Sequence, residues 1–120
     1  MSRAADPTAE QPISRTVILD ARFDSVRQAE RVEIREIRIL PGHAAGMHVH
    51  NGPVVGSILA GSAVYQIDGE PESVLRPGDV FYEPEGARIA RFDATGEGVT
   101  FLGYFILGPG EQAQIAFVED

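Results

Sequence analysis

The sequence predicts an all-β fold, one barrel or sandwich of short strands, and three observations carry that prediction. Runs rich in Val, Ile, Phe and Tyr recur along the chain and are separated by Gly, Pro and Asp turns. Within several runs apolar and polar residues alternate with period two. No segment combines the length and the 3.6-residue periodicity of a long helix.

Residues 1–14 are small, polar and proline-bearing, and read as a flexible arm or one that docks only on a partner subunit. Residues 15–120 are then the barrel domain. Residues 16–19 form a first strand, and residues 24–30 a polar turn. Val32-Glu33-Ile34 and Ile37-Arg38-Ile39 alternate in opposite phase, so a β-bulge near Arg35-Glu36 is expected. Residues 47–50, 54–59 and 62–67 are strands, the last closed by the hairpin turn Asp68-Gly69. Residues 73–75 and 80–83 follow, and Pro84 stops the second of them. Residues 87–92 and 99–107 come next, and residues 115–118 add an edge strand. Phe101 and Phe105 share one face of the long strand and Tyr104 takes the other. A strand apolar on both faces meets a second sheet or another subunit. Arg88 and Arg91 are expected outside the barrel.

The 120 residues fit one domain, and the absence of cysteine excludes a disulfide-built scaffold. The net charge of -8, with all ten cations arginine and none clustered, disfavours nucleic acid as a partner. No apolar run reaches about 18 residues, and residues 1–12 lack a signal-peptide core. A cytoplasmic protein without a membrane partner is expected. Exposed strand edges favour pairing between copies, so a two-fold homodimer is expected as well.

The most specific stretch begins at Gly42 and contains His48-Val49-His50. Two histidines at i and i+2 on a strand share a face, where both imidazoles can converge on one ion or one ligand. With the later run Gly78 to Asp93, this stretch resembles the cupin superfamily. The superfamily has a first motif G-x5-H-x-H-x3-4-E-x6-G and a second, G-x5-P-x-G-x2-H-x3-N. Gly42, Gly61, Gly78, Pro84 and Gly86 fall in register across roughly residues 32–107. The resemblance implies a single-domain jelly-roll β-barrel and a metal held by three histidines and a glutamate. Carried over by position, only His48 and His50 remain. Val54 stands at the glutamate, Ile89 at the third histidine and Asp93 at the asparagine. An aliphatic side chain has no lone pair to give, so ligation is lost at both apolar positions.

Three functional readings follow. In the first, Val54 and Ile89 turn the ligand sphere into an apolar wall, and a metal-free pocket binds a small molecule oriented by His48 and His50. Tyr65, Tyr82 and Tyr104 would line or flank that pocket. In the second, His48 and His50 hold a divalent transition metal with a reduced ligand set, as in the dioxygenases, isomerases and lyases the resemblance implies. In the third, His48 or His50 is a metal-free acid/base catalyst. His43 and Glu83 lie near turns and are expected at the surface, and Asp93 is expected in a loop.

Overall fold

The computed structural model of the chain describes residues 11–118. Its strands are β1 (Arg31–Ile39), β2 (His48–His50), β3 (Val54–Ile67), β4 (Ser73–Leu75), β5 (Val80–Glu83), β6 (Ile89–Leu107) and β7 (Ile115–Phe117). All pairings are antiparallel, in one sheet of order β4-β3-β6-β2-β7, with β1 added on β6 and β5 on β3. Among the described residues no helix is long and apolar enough to cross a membrane.

The two longest strands make the frame. β3 and β6 pair from Val54↔Phe105 to Ile67↔Ile89, with register shifts after Ile58, Gly61 and Gln66. Such shifts bend a ribbon and let one sheet curl around its own core. The turn-like residues at Gly61 and at 93–98 are therefore bends inside continuous strands, where the sequence reads as separate shorter ones. Gly61 has φ +72°, and a Cβ there would lie 2.0 Å from the Gly98 carbonyl oxygen. Gly61→Ala is expected to lower stability by roughly 2–4 kcal/mol, from left-handed backbone strain plus overpacking. The measurement is the urea midpoint at constant slope, and an unchanged midpoint contradicts the close approach.

Inward residues of the frame build an aromatic core. Phe92 lies 4.5 Å from Phe101, 5.3 Å from Phe81 and 5.5 Å from Tyr65 between ring centroids. Edge-to-face and tilted pairs at these separations add to simple burial. Ile58, Leu75, Ile89 and Val99 pack around them. The shift after Gln66 pairs Gln66 with Arg91 and Ile67 with Ile89, which leaves Ala90 unpaired. The extra residue lets Ile89 and Phe92 both point inward while Arg88 and Arg91 stay exposed.

Two expected local features are absent. β1 runs against β6 in unbroken register from Arg31↔Leu107 to Ile39↔Val99, so there is no bulge at Arg35-Glu36. The phase change in the sequence is instead a change of apolar face. Ile37 and Ile39 pack on the core, whereas Val32 and Ile34 point outward, 55% and 58% exposed. Residues 16–19 form no strand, because no neighbouring strand among the described residues offers them hydrogen-bond partners. The first ten residues of the expected arm lie outside the described residues.

Candidate metal centre

Strand alternation decides which side chains meet. His48 and His50 lie two apart on β2 and share the inward face, their ring centroids 5.0 Å apart. On β5, Phe81 and Glu83 are both buried and face inward. Glu83 is only 3% exposed, which corrects its expected place at the surface. Its parity with Phe81 was the available signal, and proximity to Pro84 pointed the other way.

The register then explains the missing ligands. Val54 is the cross-strand partner of Glu83, and Ile89 is that of His48. The carboxylate absent from β3 is thus present one strand over, at the same level of the barrel. His48, His50 and Glu83 each place one potential ligand atom within 4.8 Å of the others.

The hydrogen bonds define the donor set. The His50 Nε2 lies 2.9 Å from Glu83 Oε1, and His48 Nε2 lies 3.9 Å from the same oxygen. His48 Nδ1 donates to the Gly46 carbonyl at 2.7 Å, since a carbonyl can only accept. In neutral His48 that bond leaves the Nε2 lone pair facing Glu83, the arrangement by which a backbone carbonyl orients a ligating imidazole. Glu83 Oε2 is buried with no hydrogen-bond partner. A buried carboxylate with one oxygen unpartnered and the other 3.9 Å from an imidazole lone pair is costly without a cation or proton at the site. The residues present therefore fit a divalent ion held by two nitrogens and one carboxylate.

The charges are strongly linked. Burial opposes ionisation of Glu83, but hydrogen bonds and attraction from His48 and His50 outweigh it and hold its pKa below the usual value. Burial likewise opposes the His48 imidazolium, yet Glu83 and the Gly46 carbonyl raise its pKa overall.

A cavity of about 120 Å³ adjoins the three residues. Its other walls are apolar: Ile37 and Ile39 from β1, Val54 from β3, and Phe81, Phe92, Phe101 and Phe105. Ile89, fully buried, packs in the core beside it. Tyr65 is also in that core, with its hydroxyl 3.5 Å from the Tyr82 carbonyl and its pKa pushed up by burial and by Glu83. Tyr82 and Tyr104 do not join the cavity wall. Each sits between two inward residues, so alternation turns it outward, and Tyr82 stacks on Phe23 there. His43 is exposed in a turn. Asp93 is not in a loop but within β6 opposite Val64, away from the three ligating groups.

Comparison with known proteins agrees with this architecture. A family model described as a cupin domain matches residues 35–102. No curated protein matches the chain. Among solved structures, an uncharacterized conserved protein with a double-stranded β-helix domain from Klebsiella pneumoniae is 20% identical, with a TM-score of 0.62 over 79% of this chain and 81% of that one. The DMSP lyase DddQ from Ruegeria pomeroyi is 23% identical, with a TM-score of 0.64 over 72% of this chain and 42% of the lyase. Oxalate decarboxylase from Bacillus subtilis, a protein with Mn(II) centres, is 28% identical, with a TM-score of 0.61 over 68% of this chain and 22% of the enzyme. The chain thus spans less than half the length of the lyase and about a fifth of the decarboxylase. The family match covers more than half of the chain and contains both histidines and Glu83, and the chain belongs to the cupin-domain family.

Proposed function

We propose that this protein is a metal-dependent cupin enzyme in which His48, His50 and Glu83 hold one divalent transition metal beside an apolar substrate pocket. The observation that carries this reading is the buried Glu83 carboxylate, with Oε2 unpartnered and Oε1 next to two imidazoles. Two histidines and one carboxylate with open positions suit non-haem iron or manganese better than a closed structural site. When bound, such an ion supplies a Lewis acid and vacant positions for an oxygen-bearing substrate. Lyase and manganese decarboxylase neighbours with this fold are compatible with that chemistry.

The chain's own residues set what can enter. Besides the three ligating groups, the residues lining the cavity are uncharged. The pocket therefore offers no guanidinium to a second anionic group. Its volume of about 120 Å³ is near that of an engineered cavity of about 150 Å³ that accepts benzene. The substrate class is a small, largely apolar molecule, up to one ring in size, carrying one polar group toward Glu83. Val54, the strongest argument for a metal-free pocket, loses that force once its partner across the strand is a carboxylate.

The test is titration of chelator-stripped protein with Fe(II) or Mn(II) under anaerobic conditions, read by calorimetry and elemental analysis. About one ion per chain is expected in the wild type, and almost none in His50→Ala. Full-length protein that takes up less than about a tenth of an ion per chain returns the site to a metal-free pocket.

A further inference from the structure

We propose that residues 15–20 complete the barrel of a second copy of this chain, as an added strand on the free edge of its β1, in a reciprocal two-fold exchange. Every residue from 11 to 20 is exposed. Ile13, Val17 and Ile18 are 68%, 82% and 71% exposed, apolar side chains that the described residues of the barrel leave uncovered. None of these residues makes a main-chain hydrogen bond to another described residue. The stretch has the β-branched composition of a strand but no partner strand among the described residues.

The root of this segment is fixed. Phe23 stacks on Tyr82, and Arg27 pairs with Glu85 and Glu111. The chain is thus fastened to the barrel from Phe23 onward, and the residues before it are presented outward.

β1 offers the matching surface. Among the described residues it pairs only with β6, so its other edge has free N–H and C=O groups. Its outer face exposes Val32 and Ile34. Laid antiparallel on a second copy's β1, the segment has a register in which one face matches in polarity and charge, while on the other face Ile18 falls opposite Glu33 and Thr16 opposite Arg35. Leu19 then faces Val32, and Val17 faces Ile34. In the same register Arg15 faces Glu36, and Asp20 faces Arg31. Among the described residues neither Arg15 nor Glu36 has an ion-pair partner within the chain. Apolar and opposite-charge pairs directly across an antiparallel ladder are the stabilising ones. Segment and acceptor edge lie on the same chain, so a two-fold axis satisfies both at once.

The experiment is light scattering with size exclusion on the full chain across a dilution series. Wild type is expected as a dimer. Val17→Asp, at a residue its own barrel leaves exposed, is expected to fold with an unchanged circular dichroism spectrum and to run as a monomer. Arg15→Glu is expected to weaken the dimer roughly tenfold, because each reversal acts twice across the axis. Arg15→Glu combined with Glu36→Arg is expected to recover wild-type affinity. A monomeric wild type, a Val17→Asp variant that stays dimeric, or a double charge reversal no tighter than the single one overturns the proposal.

Discussion

Replacing Glu83 by valine is expected to abolish stoichiometric binding of a divalent metal, and adding Val54→Glu to that variant is expected to restore it. Loss of outer-shell partners alone weakens metal sites by about 10–100-fold, so loss of one of three ligands is expected to cost at least about a hundredfold. Two neutral imidazoles would be left to compensate a doubly charged ion in an apolar cavity. The second substitution works through register. Val54 and Glu83 are direct partners on β3 and β5, and both side chains point inward. Facing positions in an antiparallel pair have Cβ atoms about 4.5–5.5 Å apart, within the reach of a glutamate side chain. A carboxylate moved from 83 to 54 therefore approaches His48 and His50 from the neighbouring strand.

Stability separates this loss from unfolding. Exchanging a buried charged group for a well-packed apolar one is often neutral or stabilising when its partners can become neutral. Metal-free Glu83→Val is thus expected to melt no lower than metal-free wild type at pH 8. Calorimetric titration with Mn(II) and thermal melts of both states give the comparison. A single variant with wild-type metal affinity shows that Glu83 is no ligand. A double variant that stays metal-free defeats the account of a carboxylate displaced by one strand.

The barrel was legible because its bends depend on local chemistry. Gly61 must take positive φ beside the Gly98 carbonyl, and Pro84 must stop β5, whatever surrounds them. The shared face of His48 and His50 follows from period two alone. Glu83 was harder to place because its role depends on pairing. Motif positions are counted along one strand, whereas the cavity collects side chains from β2, β3 and β5 without regard to chain order. Val32 and Ile34 are ambiguous in the sequence for a related reason. If every apolar residue faced its own core, the phase change would require a bulge. The straight register of β1 instead sends both outward, onto a surface the described residues do not cover.

Metal loading is expected to raise the melting temperature far more at pH 8 than at pH 5.5, and Glu83 and His48 give the reason. Glu83 has a lowered pKa, so its contribution to metal-free stability is complete above its ordinary value of 4.5 and is lost as pH falls through the lowered one. His48 has a raised pKa, so its contribution is complete below 6.5 and is lost as pH rises through the raised value. The metal-free His48–Glu83 pair is therefore most stabilising between about 4.5 and 6.5, with a charged His48 imidazolium beside the carboxylate. A metal needs both imidazoles neutral and must displace that proton. At pH 5.5 the ion competes with the state the empty site prefers, and the competing proton is scarcer at pH 8. A ligand present at about a thousand times its dissociation constant adds about 4 kcal/mol, which for a domain of this size raises the melting point by roughly 15 °C or more. That full shift is expected at pH 8, with a clearly smaller one at pH 5.5, in scanning calorimetry with and without Mn(II). Equal shifts at the two pH values contradict proton–metal competition at His48 and Glu83. A shift that survives in His50→Ala at pH 8 assigns the stabilising ion to another part of the surface.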